Sequence, residues 1–328
     1  MARRNHFDRK AGGLIERDHN HDGIDRRGFL KCMAWAGTGA LCVIEGGVLK
    51  SYALGAEMNS GMKSHQSKGL SFVQISDSHM GFNKPANPDV VATLEAAVAK
   101  IKALPHPPEF VLHTGDITHL AKPQEFDMVD QILTKLNTEV FFVPGEHDIL
   151  NDDGATFRER YAKKAKGQGW YSFDKNGVHF VGLVNVMNLK AGGLGSLGHE
   201  QIEWLEDDLH HLKSSTPIVV FAHIPLWTVY PEWGWGTDDS AQALSYLERF
   251  GSVTVLNGHI HQTMQKVEGH VTFHTACSTA FPQPAPGKAD SPGPMKVPDD
   301  QLRKVLGITS VDFLQGRHAL AITDSSLG

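Results

Sequence analysis

Phe72-Val73-Gln74-Ile75-Ser76-Asp77-Ser78-His79 joins a short apolar run to two metal-seeking side chains. The run has the length and β-branched content of a buried strand, and Asp77 and His79, two positions apart on an extended segment, face the same side. The pattern recurs along the chain. Phe110-Val111-Leu112 leads to Gly115-Asp116, and Phe141-Phe142-Val143 leads to Gly145-Glu146-His147-Asp148. Ile218-Val219-Val220-Phe221 precedes Ala222-His223-Ile224-Pro225, and Val253-Thr254-Val255-Leu256 precedes Gly258-His259-Ile260-His261-Gln262. Groups at the carboxyl ends of successive strands converge on one rim of a sheet, where open α/β folds bind their ligands. Carboxylates and imidazoles gathered there suit divalent or trivalent first-row metals. The residues predict a dinuclear metal site.

The order D-x-H, G-D, G-N-H-[DE], an isolated H, then G-H-x-H resembles the signature of the calcineurin-like metallophosphoesterase superfamily. The resemblance runs from about Leu70 to His274 and includes Gln201-Ile202-Glu203-Trp204-Leu205 before the isolated histidine. One block departs from it: Glu146 stands where the family usually has Asn. The resemblance implies an α/β fold, a four-layer αββα sandwich of two mixed β-sheets flanked by helices, with the metals at the carboxyl ends of the strands. It implies one ion on Asp77, His79, Asp116 and His261, and a second on Asp116, Glu146, His223 and His259, Asp116 bridging. First-row ions (Fe, Mn or Zn) are expected. His147 is expected beside the metals as a proton donor to the leaving oxygen, with Asp148 holding its ring.

A histidine such as His223 is, by itself, more often a hydrogen-bonded structural residue than a ligand; its place after an apolar run and its order among the blocks favour ligation. Asp116 follows a glycine, which lets the backbone approach closely. His119, three residues after Asp116, where purple acid phosphatases place a ligating Tyr, is expected to orient a ligand by hydrogen bonding, with direct ligation the alternative, while His113 and His274 read as core or supporting residues. The implied reaction is hydrolysis of a phosphodiester or phosphomonoester by a hydroxide bridging two ions, with His147 as general acid. The same ligands would equally serve phosphotriester, pyrophosphate or phospholipid-headgroup hydrolysis. A catalytically impaired phospholigand-binding protein is a further alternative that Glu146 raises and the retained His147 opposes.

The 328 residues allow one large domain or two small ones, and 41% hydrophobic with 21% charged residues is ordinary for a globular chain. A net charge of −6 does not provide the basic surface of a nucleic-acid groove. Asp25-Arg26-Arg27-Gly28-Phe29-Leu30-Lys31 resembles the twin-arginine export motif, followed by a weakly apolar stretch from Cys32 to Leu49 and small residues near Ala56. Glycines and Glu45 make that stretch a poor membrane span. Residues 1–56 are therefore expected to be a removed leader read by the twin-arginine machinery, 57–69 a linker and 70–328 the phosphoesterase domain, exported folded to the periplasm or beyond. Without the leader, Cys277 is the single cysteine, so no intramolecular disulfide is predicted.

Helices are predicted at Asp89–Leu104, Gln124–Leu136, Phe157–Lys166 and Glu200–Leu212, and hairpins around Asn176-Gly177 and Glu268-Gly269. Leu226–Asp239, with Trp227, Tyr230, Trp233 and Trp235, and the proline-rich Phe281–Pro298 read as cover over the site. Gly193–Gly198 satisfies G-x-G-x-x-G, but no acidic residue follows at the required distance, so a glycine loop near the site is the better account. The expected substrate is a small phosphate ester; oligomeric state is open.

Overall fold

The computed structural model describes residues 69–313 and 320–328, together with the backbone of two strands, Ala40–Glu45 and Val48–Ala53, paired antiparallel. The expected leader and linker otherwise lie outside the described residues.

Two sheets carry the fold. The five-stranded sheet is built from β1 (Leu70–Ile75), β2 (Phe110–His113), β3 (Glu139–Phe142), and the C-terminal strands β10 (Gly307–Phe313) and β11 (Ala321–Ser326). The six-stranded sheet contains β4 (Tyr171–Lys175), β5 (Val178–Gly182), β6 (Ile218–Phe221), β7 (Val253–Asn257), β8 (Met264–Glu268) and β9 (Val271–Thr275). Their orders are β11-β10-β1-β2-β3 and β8-β9-β7-β6-β5-β4. In each, the strands that end at the predicted ligands run parallel, while antiparallel strands close the margins.

Alternation along the strands makes the layers. Leu70 and Phe72 of β1, Phe110 of β2, Phe180 of β5 and Val219 and Phe221 of β6 share one core between the sheets. Phe72 stacks on Phe110 (centroids 5.0 Å) and meets Phe180 edge-on (5.4 Å). The alternate residues Val73, Ile75 and Val111 face the opposite way, onto α1 (Val90–Lys102) and α2 (Pro123–Leu133). Val181, Val220 and Val255 likewise face α4 (His199–His210) and α5 (Ser240–Leu247). Period-two burial on both faces produces the predicted αββα sandwich.

Helix ends follow local chemistry. Asp89 caps α1 by accepting from Ala92 N (3.0 Å), and Lys100 and Lys102 oppose the dipole in its last turn. The helix predicted from Phe157 is shorter than expected. It spans α3 (Ala155–Tyr161), because its buried face ends with Phe157 and Tyr161, and Lys166 N then turns back to Trp170 O (2.7 Å). A further short helix, α6 (Asp299–Val305), precedes the C-terminal hairpin.

At the β4–β5 edge, His179 lies between two carboxylates, Nδ1 3.0 Å from Asp174 and Nε2 2.9 Å from Asp208. Burial opposes its protonation, but Asp208 and Asp174 outweigh it and raise the imidazole above its usual range. A raised histidine stabilises fully below the unfolded value of about 6.5 and loses that contribution as pH climbs past the folded one. His179→Gln is therefore expected to lower the urea midpoint most near about pH 6 and least near about pH 9. An equal deficit at both pH values would show that the ion pairs contribute nothing.

Candidate metal centre

The predicted residues meet at one rim. Asp77 and His79 follow β1, Asp116 follows β2 and Glu146 follows β3, so all three carboxylates come from the five-stranded sheet. His223 follows β6, and His259 and His261 follow β7, so three of the four imidazoles come from the other. Single side-chain atoms of Asp77, His79 and His261 lie within 4.8 Å of one another, as do those of Glu146, His223 and His259 and those of Asp77, Asp116 and His223. These overlapping groups correspond to two neighbouring sites.

Reaching that arrangement requires unusual backbone. Asp77 (φ 53°), His79 (40°), Asp116 (50°), His259 (69°) and His261 (55°) are all left-handed, a conformation that disfavours side-chain-bearing residues. Each costs of order 1 kcal/mol or more and persists because neighbours enforce it. Ladder-like bonds from Asp77 N to Gly115 O (3.0 Å) and His79 N to Asp116 O (2.9 Å) carry the β1–β2 pairing into the ligand loops. A methyl group at Gly145 would collide with the Asp116 carboxylate, and one at Gly258 would sit 2.6 Å from an Asp77 oxygen.

The donor chemistry calls for cations. His223 Nδ1 donates to Thr114 O (2.8 Å) and His261 Nδ1 to Phe281 O (2.6 Å), which turns the Nε2 lone pair of each inward. His223 Nε2 then faces Glu146 Oε2 at 2.9 Å and Asp116 Oδ2 at 3.5 Å; His261 Nε2 faces Asp77 Oδ1 at 3.2 Å and His79 Nε2 at 3.2 Å. Two donors bound to one ion at about 2.1 Å stand roughly 3.0–3.4 Å apart, which is the spacing seen. Burial opposes protonation of His223, but Asp116 and Glu146 raise it well above the usual histidine range. Burial would raise Glu146, but His259 and His223 hold it well below the usual carboxylate range. The residues fit a pair of metal ions.

Asp148 corrects one expectation. It does not hold the His147 ring. Its carboxylate accepts from Ile117 N (3.1 Å), Thr118 N (2.8 Å), Thr118 Oγ1 (2.8 Å) and Gly145 N (2.9 Å), sewing the Asp116 loop to the Glu146 loop. Burial and the nearby Asp116 push it up to about 7 against those donors. His147 is positioned differently: Nδ1 donates to the His119 carbonyl (2.7 Å), and its backbone N–H donates to Asp116 Oδ1 (2.9 Å). Burial opposes its protonation, and Asp116 and Glu146 raise it nonetheless. His119 thus orients His147 through its carbonyl, and its side chain bonds no ligand.

Other supports had weak sequence signals or none. Gln74, on the inter-sheet face of β1, donates to Asn257 O (3.0 Å) and ties the two sheets beneath the site. Asn257 and Asn185 donate to Ile224 O (3.1 and 2.8 Å), fixing the loop after His223; a polar residue inside an apolar run is the clue each offered. His113 pairs with Ser78 Oγ (2.9 Å), and burial lowers it to about 3. His274 pairs with Asp324 (3.0 Å), as a supporting residue would. The Phe281 ring packs on His79 and His261, both at 4.7 Å, and Gln283 donates to His259 O (3.3 Å), so the start of the proline-rich segment does cover the ligands. The glycine loop lies on the Trp-rich segment, Gly195 N donating to Gly236 O (2.9 Å).

A model of the calcineurin-like phosphoesterase family matches residues 70–263. The chain belongs to this family. It is a metallophosphoesterase, a hydrolase of phosphoric ester bonds with a dinuclear metal site. It is 24% identical over 218 residues to a 3',5'-cyclic-nucleotide phosphodiesterase of Nostoc, covering 65% of this chain and 79% of that one. It is 25% identical over 206 residues to a glycerophosphodiester phosphodiesterase of Enterobacter lignolyticus, covering 60% and 71%. In fold the metallophosphoesterase is similar to a dimetal phosphatase from Danio rerio, with a TM-score of 0.62 at 14% identity over 79% of this chain and 96% of the other.

Asp148→Asn sets an amide N–H against backbone N–H groups. It is expected to cost about 3 kcal/mol, read as a lower urea midpoint, and to weaken metal retention in dialysis. An unchanged midpoint would remove the loop-joining role.

Proposed function

We propose that this metallophosphoesterase hydrolyses small phosphodiesters in preference to dianionic monoesters. Asp77, His79, Asp116 and His261 hold one ion, and Asp116, Glu146, His223 and His259 the other, with Fe, Mn or Zn suited to the mixed imidazole–carboxylate set. When bound, such a pair supplies positive charge for phosphoryl oxygens and an acidified water for in-line attack. His147 has Nδ1 committed to the His119 carbonyl, so Nε2 is the atom that donates a proton to the departing alkoxide. The carboxylates of Asp116 and Glu146 favour its protonated form.

The observation that carries the diester preference is Glu146. It does not turn to solvent: its oxygens stand 2.9 Å from His223 Nε2 and 3.1 Å from His259 Nδ1, in the donor set. The usual Asn would offer a neutral carbonyl there. A full extra negative charge in a buried pocket disfavours a dianion more than a monoanion. Both curated relatives named above are phosphodiesterases by name, which supports the same reading.

Glu146→Asn is expected to raise the monoester-to-diester ratio of kcat/KM by about tenfold, equivalent to about 1.4 kcal/mol, with metal content confirmed by elemental analysis. A ratio that stays level or falls would sink the proposal. His147→Ala should lower turnover by ~10²–10⁴-fold for poor leaving groups, far less for nitrophenolate, and leave metal content intact. Equal losses for both leaving groups would reassign His147 to substrate binding.

A further inference from the structure

The imidazole of His119 has no part in that reaction. Its Nδ1 is buried without a hydrogen-bond partner. The ring lies 5.0 Å from that of His147, with 17° between the planes, and 5.6 Å from that of His79. One nitrogen from each of His79, His119 and His147 falls within 4.8 Å of the others. His79 is only 2% exposed; its Nε2 faces His261 and Asp116, and its Nδ1 is also buried and unpartnered. His147 has Nδ1 tied to a carbonyl, which leaves Nε2 open. Buried imidazole nitrogens are normally satisfied. Here two are not, and they belong to residues clustered with a third that has a nitrogen to spare.

We propose that His79, His119 and His147 form a third cation site, weaker than the dinuclear pair, and that filling it inhibits the enzyme. Three imidazoles and no carboxylate select zinc, nickel or copper over magnesium and manganese. The site is weaker for two reasons. It lacks an anionic ligand, and His79 already serves the first ion. For His79 to serve both sites its remaining N–H proton would have to pass to solvent, a cost that keeps the third site weak. An ion on His147 Nε2 occupies the one ring nitrogen that the bond to the His119 carbonyl leaves open toward a substrate. That inhibitory half rests on the role of His147 proposed above; the binding half does not.

The exposed His210–His211 pair, with rings 4.9 Å apart, is the obvious competing place for surplus zinc. Equilibrium dialysis of the full chain against rising free zinc, with bound metal counted, is expected to show two tight equivalents and then a third. Turnover of bis(4-nitrophenyl) phosphate under the same conditions, compared with that of a diester with an alkyl leaving group, should fall as the third fills, more steeply for the alkyl ester. His119→Phe keeps a ring against His147, and His119→Asn is a smaller polar alternative. Both should weaken the third equivalent by about tenfold or more, shift inhibition equally and retain the two tight equivalents. A His210→Ala, His211→Ala double variant should keep all three. The site is refuted if the wild type stops at two equivalents, or if the third survives unchanged in both His119 variants. A third equivalent that depends on His119 but leaves alkyl-ester turnover untouched overturns the inhibitory half; the proton-donor role of His147 stands or falls on the His147→Ala comparison.

Discussion

Acceptor atoms face one another across about three ångströms at the ends of five strands, and the surrounding structure is organised to hold them there. Lone pairs of His223 and His261 are aimed inward by bonds from their far nitrogens to main-chain carbonyls. The carboxylates they meet cannot retreat. Asp116 is backed by the His147 amide, and Asp77 by the His259 amide at 3.1 Å from Oδ1. Five ligand residues adopt left-handed backbone to complete the ring, and glycines at 145 and 258 leave the room that any side chain would fill. Strained backbone held in place by its neighbours is a common signature of functional sites.

Charge is divided between the sheets. One rim brings the carboxylates, the other most of the imidazoles. Glu146 intensifies this division, since a carboxylate between His223 and His259 adds a full negative charge where a neutral amide would complete the same geometry. The preference proposed for Glu146 is therefore one of sign rather than shape, and would be felt by any substrate according to its charge. Beyond the ligands, Tyr230 and Trp233 in the aromatic segment after His223 pack edge-to-face at 5.2 Å.

The sandwich and the clustering of the candidate ligands were legible because each depends on a local pattern. Apolar runs of strand length, read in order with the residues that follow them, place Asp77, His79, Asp116, Glu146, His223, His259 and His261 at one rim. What escaped depends on atoms that sequence does not display. Asp148 satisfies main-chain N–H groups 30 and 31 residues away, and His147 is oriented by a carbonyl, which any residue at 119 would supply. Adjacency made an Asp148–His147 pair seem natural; the 3₁₀ turn Glu146–Asp148 sends the two side chains to different partners. The proline-rich segment was readable as cover, but no periodicity marks which rings Phe281 meets, His79 and His261.

The division of ligands between sheets has a topological consequence. His79 and His261 are 182 residues apart, as are Asp77 and His259, yet each pair meets at the same rim. An ion gripping both sides would tie a loop of that length, and closing such a loop through a covalent bond would remove about 5 kcal/mol of chain entropy from the unfolded state. Among the described residues Cys277 is the one cysteine, and it is free. A bound metal pair would therefore take the mechanical role that a disulfide fills in other compact proteins, a reversible staple whose strength is set by free-ion concentration rather than by redox potential.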